Sequence, residues 1–156
     1  MRVHLCAVGR LRAGPERALV EDYLGRFGKT GRALGLGPVV EHEVEDKRNL
    51  GMGAEAELLA RAIPQGSAIV TLDERGRALT SPEFAAELAR FRDAGRQDLA
   101  LVIGGADGID PALRARADLS VSFGSMVWPH MLVRVMVAEQ LYRAATILAG
   151  LPYHRV

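Results

Sequence analysis

Cysteine is almost absent. Cys6 is the single example in 156 residues and lies in the run VHLCAVG, so no disulfide can form within one chain and a buried, inert thiol is expected. Long hydrophobic runs are missing too: nothing approaches the ~18 consecutive apolar residues of a membrane span. The start MRVHLCAVGR lacks the apolar stretch of a secretion signal, so a soluble, cytoplasmic protein is expected. Lysine is scarce, with Lys29 and Lys47 the only two, and positive charge is carried by arginine. Arginine suits planar phosphate and base contacts, although a GC-rich genome would produce the same bias. The four histidines, His4, His42, His130 and His154, show no ligand spacing and have no thiol partner, so no metal is expected. There is no GxxxxGK[ST] phosphate loop and no GxSxG elbow, which argues against nucleoside triphosphatase and serine hydrolase chemistry.

Charge of either sign is nearly balanced, at +1 overall, which is little for a binder of naked nucleic acid. The distribution says more. From Ala112 onward Arg114, Arg116, Arg134, Arg143 and Arg155 face only Asp118 and Glu139, so the last third is basic.

A 49% hydrophobic content is ample for a core, and no repeat or linker divides the chain, so residues 1–156 form one domain. Strand and helix patterns alternate. Strands are predicted at Val3–Gly9, Val39–Val44 (an edge or half-exposed strand), Ser67–Leu72, Leu99–Ile103 and Leu119–Val121. Helices are predicted from Glu16 to Phe27, from Ala54 to Ile63, from a Ser81 cap to Gly95, briefly after Asp110-Pro111, and from Pro129 to Gly150. Gly28–Gly37 reads as a loop and Asp46–Gly53 as a mobile one. The alternation implies a mainly parallel sheet with helices on both faces. Ligands of such folds gather beyond the carboxyl ends of strands, here in Asp73–Arg77, Gly104–Gly108 and Ser122–Pro129.

The last helix carries two apolar stripes, Met131/Val135/Ala138/Tyr142/Ala145 and Val133/Val137/Leu141/Ala144/Leu148. One apolar face suffices for a surface helix. Two imply either a helix sandwiched in the core or a partner, most simply a second copy in a two-fold dimer. GMGAEA (Gly51–Ala56) has dinucleotide-fingerprint spacing but follows the polar DKRN and not a strand, so the match is accidental. GGADG (Gly104–Gly108) follows a strand and precedes a capped helix, as an ordinary turn or a ligand loop would. The tail Tyr153-His154-Arg155 offers an aromatic, an imidazole and a guanidinium, either as a frayed end or as a base-and-phosphate contact set.

TLDERG (Thr71–Gly76), LVIGGADG (Leu101–Gly108), SFGSMVWPHMLVRVMVAEQLYRA (Ser122–Ala144) and PYHR (Pro152–Arg155) together resemble the ribosomal RNA large subunit methyltransferase H family, small SPOUT (α/β knot) enzymes. The resemblance spans essentially the whole chain and is strongest in its last third. It implies a C-terminal trefoil knot around Gly104–Pro129 and S-adenosyl-L-methionine as cofactor. It also implies methylation of N3 of a pseudouridine in large-subunit ribosomal RNA; the small net charge then points to presentation of the RNA by the assembled ribosome, and the doubled stripe of the last helix to a homodimer. On matching positions it implies cofactor binding by Leu72, Gly104, Gly105, Phe123, Gly124, Ser125, Met126, Val127 and Trp128. Asp73 or Asp107 could favour the sulfonium.

An imide nitrogen is a poor nucleophile until its proton leaves, so the site needs a base or a stabiliser of the developing anion. The candidates are His130, Tyr153, His154 and Arg155. His154 or His130 could accept the proton, Arg155 could hold uracil oxygens or a phosphate, and Tyr153 could stack on the base. The alternatives are a SPOUT methyltransferase acting on another RNA, such as transfer RNA, and a non-catalytic nucleotide- or RNA-binding module.

Overall fold

The computed structural model describes residues 1–155. Strands β1 (Arg2–Val8), β2 (Val39–Val44), β3 (Ala68–Arg77), β4 (Asp98–Ile103) and β5 (Leu119–Val121) alternate with helices α1 (Pro15–Gly31), α2 (Met52–Ala62), α3 (Ser81–Asp93), α4 (Pro111–Arg114) and α5 (His130–Ala149). The sheet order is β2-β1-β4-β3-β5, and each of these pairings is parallel.

The pleat divides the core in two. Val3, Leu5, Leu99, Leu101 and Val70 point to one face, where α1, α3 and α5 supply Phe27, Phe84, Leu88, Val137 and Leu141. Cys6, Val8, Ala100, Val102 and Ile69 point to the other, under Leu59 of α2 and Leu113 of α4. Burial pushes the Cys6 thiol up to about 12, so it remains protonated and packs as a small hydrophobe.

Several boundaries differ from the sequence reading, each for a packing reason. Helix α1 runs on through Gly28 to Gly31, into the expected loop Gly28–Gly37, and a single 3₁₀ turn (Arg32–Leu34) ends on Gly35 at φ 71°. Gly31 is there for closeness: a Cβ on it would lie 2.7 Å from the Leu36 carbonyl oxygen. Strand β3 extends through the expected loop Asp73–Arg77. Leu72 and Arg77 both stand opposite Val121, so residues 73–76 arch out as a bulge. The α3 cap is Thr80 and not Ser81. Thr80 Oγ1 accepts from the Glu83 amide (3.3 Å) while the Glu83 carboxylate accepts from the Thr80 amide (2.7 Å).

Both stripes of α5 find partners inside the chain. Val137, Leu141 and Ala144 meet the sheet core, and Ala138 packs with Val20 of α1. The sandwich therefore accounts for much of the doubled apolar pattern, and Met131 and Leu132 remain exposed.

Candidate functional site

Strands β3, β4 and β5 end side by side, and the segments that leave them line a cleft of about 270 Å³, just under the usual size of small-molecule sites (roughly 300 Å³ upward). The β3 arch contributes Leu72, Asp73, Glu74 and Arg75. The turn after β4 contributes Gly105 to Ile109. The segment after β5 contributes Phe123, Gly124, Met126, Val127 and Trp128, with Val133 of α5 behind it. Of the residues expected to hold a cofactor, Gly104 and Ser125 do not line the cleft. Gly104 lies under the turn, where a Cβ would come within 2.5 Å of the Gly108 carbonyl oxygen.

The loops are shaped by their own main chain. The Gly108 amide donates to the Gly105 carbonyl at 3.0 Å. Ser122 Oγ accepts from the Gly124 amide (3.1 Å) and donates to the Gly124 carbonyl (3.2 Å), holding a residue at φ 103°. The Trp128 indole N–H donates to the Phe123 carbonyl at 3.4 Å and closes the loop. Among the described residues, the peptide groups of Ser125 to Trp128 make no main-chain hydrogen bond, and all four residues are exposed. Met126 (71% exposed) and Val127 (87%) offer apolar surface beside them. Free amide edges next to apolar walls suit a purine ring.

Of the two carboxylates considered for a cation, Asp73 is already engaged: it pairs with Arg114 (3.4 Å) and accepts from the Arg75 amide (2.8 Å). Asp107 stands on the rim, shared with an adjoining hollow that also holds Glu45, Asp46 and Glu55. Burial, then the charges of Asp46 and Asp107, raise the Glu55 carboxyl above its ordinary value. Its Oε2 lies 2.6 Å from where a Cβ on Gly105 would sit.

The four residues proposed for catalysis do not line this cleft. His130 opens α5 and lies over the Gly9 turn, its Nε2 3.9 Å from a Cβ built there. The tail folds back on α5. Tyr153 donates its hydroxyl to Glu139 (3.0 Å), its ring is tilted against Tyr142 with 4.6 Å between centroids, and the Arg143 guanidinium lies 4.9 Å from its centre. Burial first, then Glu139, push the Tyr153 phenol up to about 12. His154 Nδ1 is 3.2 Å from Arg143 Nη1. Arg155 is exposed. Glu139 and Arg143 lie nine and thirteen residues after His130, about 14 and 20 Å along the helix.

Sequence reading missed a charged network that joins α5 to α1 and β2, on the far side of the sheet from the cleft. Arg134, 2% exposed, binds Glu43 and donates to the Gly9 carbonyl (2.9 Å). Glu43 also accepts from the Leu11 amide (2.6 Å) and Arg17 (3.1 Å), and Arg17 forks onto Glu41. The signal was present: Arg134 interrupts an otherwise apolar segment, and Glu139 and Arg143 stand at helical i,i+4 spacing. Among the described residues no group of three or more side chains could hold a metal ion, and no helix is long and apolar enough to cross a membrane.

A family model described as "Predicted SPOUT methyltransferase" matches residues 1–154. Similar curated proteins include a Ribosomal RNA large subunit methyltransferase H from Ruegeria pomeroyi, 72% identical, and one from a Ruegeria species (strain TM1040), 70% identical, each aligned over all of both chains. Among solved structures, a probable methylase family protein from Haemophilus influenzae aligns with a TM-score of 0.53 at 12% identity, covering 99% of this chain and 70% of that one. That last likeness concerns the fold alone.

Proposed function

The chain belongs to the SPOUT methyltransferase family, and from that premise we propose that it is an S-adenosyl-L-methionine-dependent methyltransferase of large-subunit ribosomal RNA, acting on N3 of a pseudouridine. The observation that carries the reading is the three-loop cleft with its unpaired peptide groups between Ser125 and Trp128, in a chain about 70% identical over its full length to proteins named as large-subunit ribosomal RNA methyltransferases. The residues present fit the cofactor. Free amides and carbonyls match adenine edges, Leu72, Val121 and Met126 match its faces, and Asp107 and Glu74 on the rim suit a cationic donor. Bound there, the cofactor supplies a sulfonium methyl for in-line displacement. The chain holds donor and acceptor in line and steadies negative charge as the imide proton leaves.

The active unit is a homodimer with composite sites. Two features support this. The tail residues Tyr153 and His154 are tied to mid-α5 and absent from the lining of their own chain's cleft. Leu19, Met131, Leu132 and Leu151 expose apolar side chains on α1, α5 and the chain end, where a second copy would cover them. The knot implied for Gly104–Pro129 would form the cleft's floor. With a net charge of +1, recognition depends on the assembled ribosome in the cytoplasm.

Labelled cofactor offered with unmodified ribosomes, with protein-free ribosomal RNA and with transfer RNA tests the assignment. We expect label in ribosomes, mapped by mass spectrometry to N3 of one pseudouridine; label in transfer RNA alone would replace the substrate. Deleting residues 152–156 should abolish transfer and spare cofactor binding, and full activity of that truncation would remove the tail from the mechanism.

A further inference from the structure

We propose that Arg143 fixes His154 in the tautomer that carries its proton on Nε2, so that His154 serves the reaction as an N–H donor to a uracil carbonyl oxygen and not as the proton acceptor. The inference rests on the reading above, in which the tail faces the substrate. The geometry starts from Arg143. A guanidinium has only donors, and its Nη1 stands 3.2 Å from His154 Nδ1, so that ring nitrogen accepts and the ring proton lies on Nε2. Arg143 cannot easily turn away. Its Nε and Nη2 both donate to Glu139 Oε1, at 3.0 and 2.6 Å, from one helical turn earlier. The Tyr153 hydroxyl donates to the same oxygen at 3.0 Å, and Gln140 donates to the other at 3.0 Å.

Neither nitrogen of His154 can take a proton from substrate in this arrangement. Nδ1 is occupied by an arginine N–H, and Nε2 already bears its hydrogen. Nε2–H is instead free to meet an oxygen that gains negative charge. As the N3 proton leaves to bulk water, the charge spreads onto the neighbouring carbonyl oxygens, and a fixed donor there lowers the barrier. No bond to His154 forms or breaks. Arg143 and Glu139 are positioning residues, acting through His154.

The test has a readout independent of turnover. Long-range proton–nitrogen correlation on the ¹⁵N-labelled full-length chain, with His154→Gln to assign the ring, should show Nδ1 bare and Nε2 protonated. Arg143→Met should release a mixture containing Nδ1–H, and Arg143→Lys, which keeps a donor, should restore the single form. In methyl transfer, His154→Gln, which places an N–H near the Nε2 position, should keep at least about a tenth of kcat, while His154→Asn loses ~100-fold. A wild-type ring protonated on Nδ1, or His154→Asn outperforming His154→Gln, overturns the proposal. The expected tautomer with both variants at full rate also overturns it, by removing the tail from the reaction while leaving the Arg143 contact intact.

Discussion

Gly104→Ala tests whether the turn after β4 builds the cleft. An added Cβ would lie 2.5 Å from the Gly108 carbonyl oxygen, 2.6 Å from its carbon and 2.9 Å from Ile109 Cγ1. Ordinary contact begins near 3.4 Å, so the backbone of residues 105–109 must retreat by something under 1 Å. Overpacking of this kind destabilises by about 1–3 kcal/mol, or roughly 3–9 °C in melting temperature for a chain this long. The larger effect falls on the ligand, because the displaced residues line the cleft. A misplacement near 1 Å can lower a rate by ~100-fold, and we expect affinity for S-adenosyl-L-methionine to fall at least about tenfold. Gly105→Ala is the internal control. Its new methyl meets mainly the Glu55 carboxylate at 2.6 Å, the far end of a side chain that can swing aside, so its melting temperature should fall less. Calorimetric titration beside thermal melts measures both quantities. Wild-type affinity and stability in Gly104→Ala would refute the idea that this close approach shapes the site.

Arg134→Met leaves Glu43 with Arg17 and the Leu11 amide; breaking a buried pair from one side destabilises by about 3 kcal/mol, so the melting temperature should drop by roughly 9 °C, and an unchanged melt would show that the network carries no stability. Gly28→Ala, helical with nothing within 4 Å of the new methyl, should raise stability by about 0.5–1 kcal/mol in a denaturant titration; a loss would place Gly28 outside a helix. Burial, then the charge of His4, hold the His42 imidazole below its ordinary 6.5. Because the folded value is the lower one, the contribution of His42 is fully present above pH 6.5 and is lost as pH falls through the depressed value. His42→Asn should therefore flatten the fall in melting temperature just below pH 6.5, and an unchanged slope would clear His42.

The alternation of strand and helix was readable because β4 is buried on both faces and so continuously apolar, and because Asp110-Pro111 and Gly150 punctuate helices in recognisable ways. The extension of α1 through Gly28 and Gly31 was not. Glycine in a sequence does not reveal whether it serves flexibility or, as at Gly31, close approach to a neighbouring strand of chain. The β3 bulge escaped for a related reason. DERG reads as a turn until β5, which arrives more than forty residues later, pairs on both sides of it. For the site, the glycine-bearing loops could be located from strand ends alone. Their assignment as a methyl-donor cleft is a proposal that rests on resemblance, and the anchoring of Tyr153 and His154 to Glu139 and Arg143 depends on a tail that folds back over α5, which periodicity cannot express.

The most direct test of the cleft is an amide-resolved nuclear magnetic resonance titration of the full chain with S-adenosyl-L-methionine. Saturable shifts should concentrate at Gly105–Gly108 and Gly124–Trp128, with one ligand bound per cleft. Shifts confined to the acidic hollow around Asp46 and Glu55, or none at all, would contradict the account.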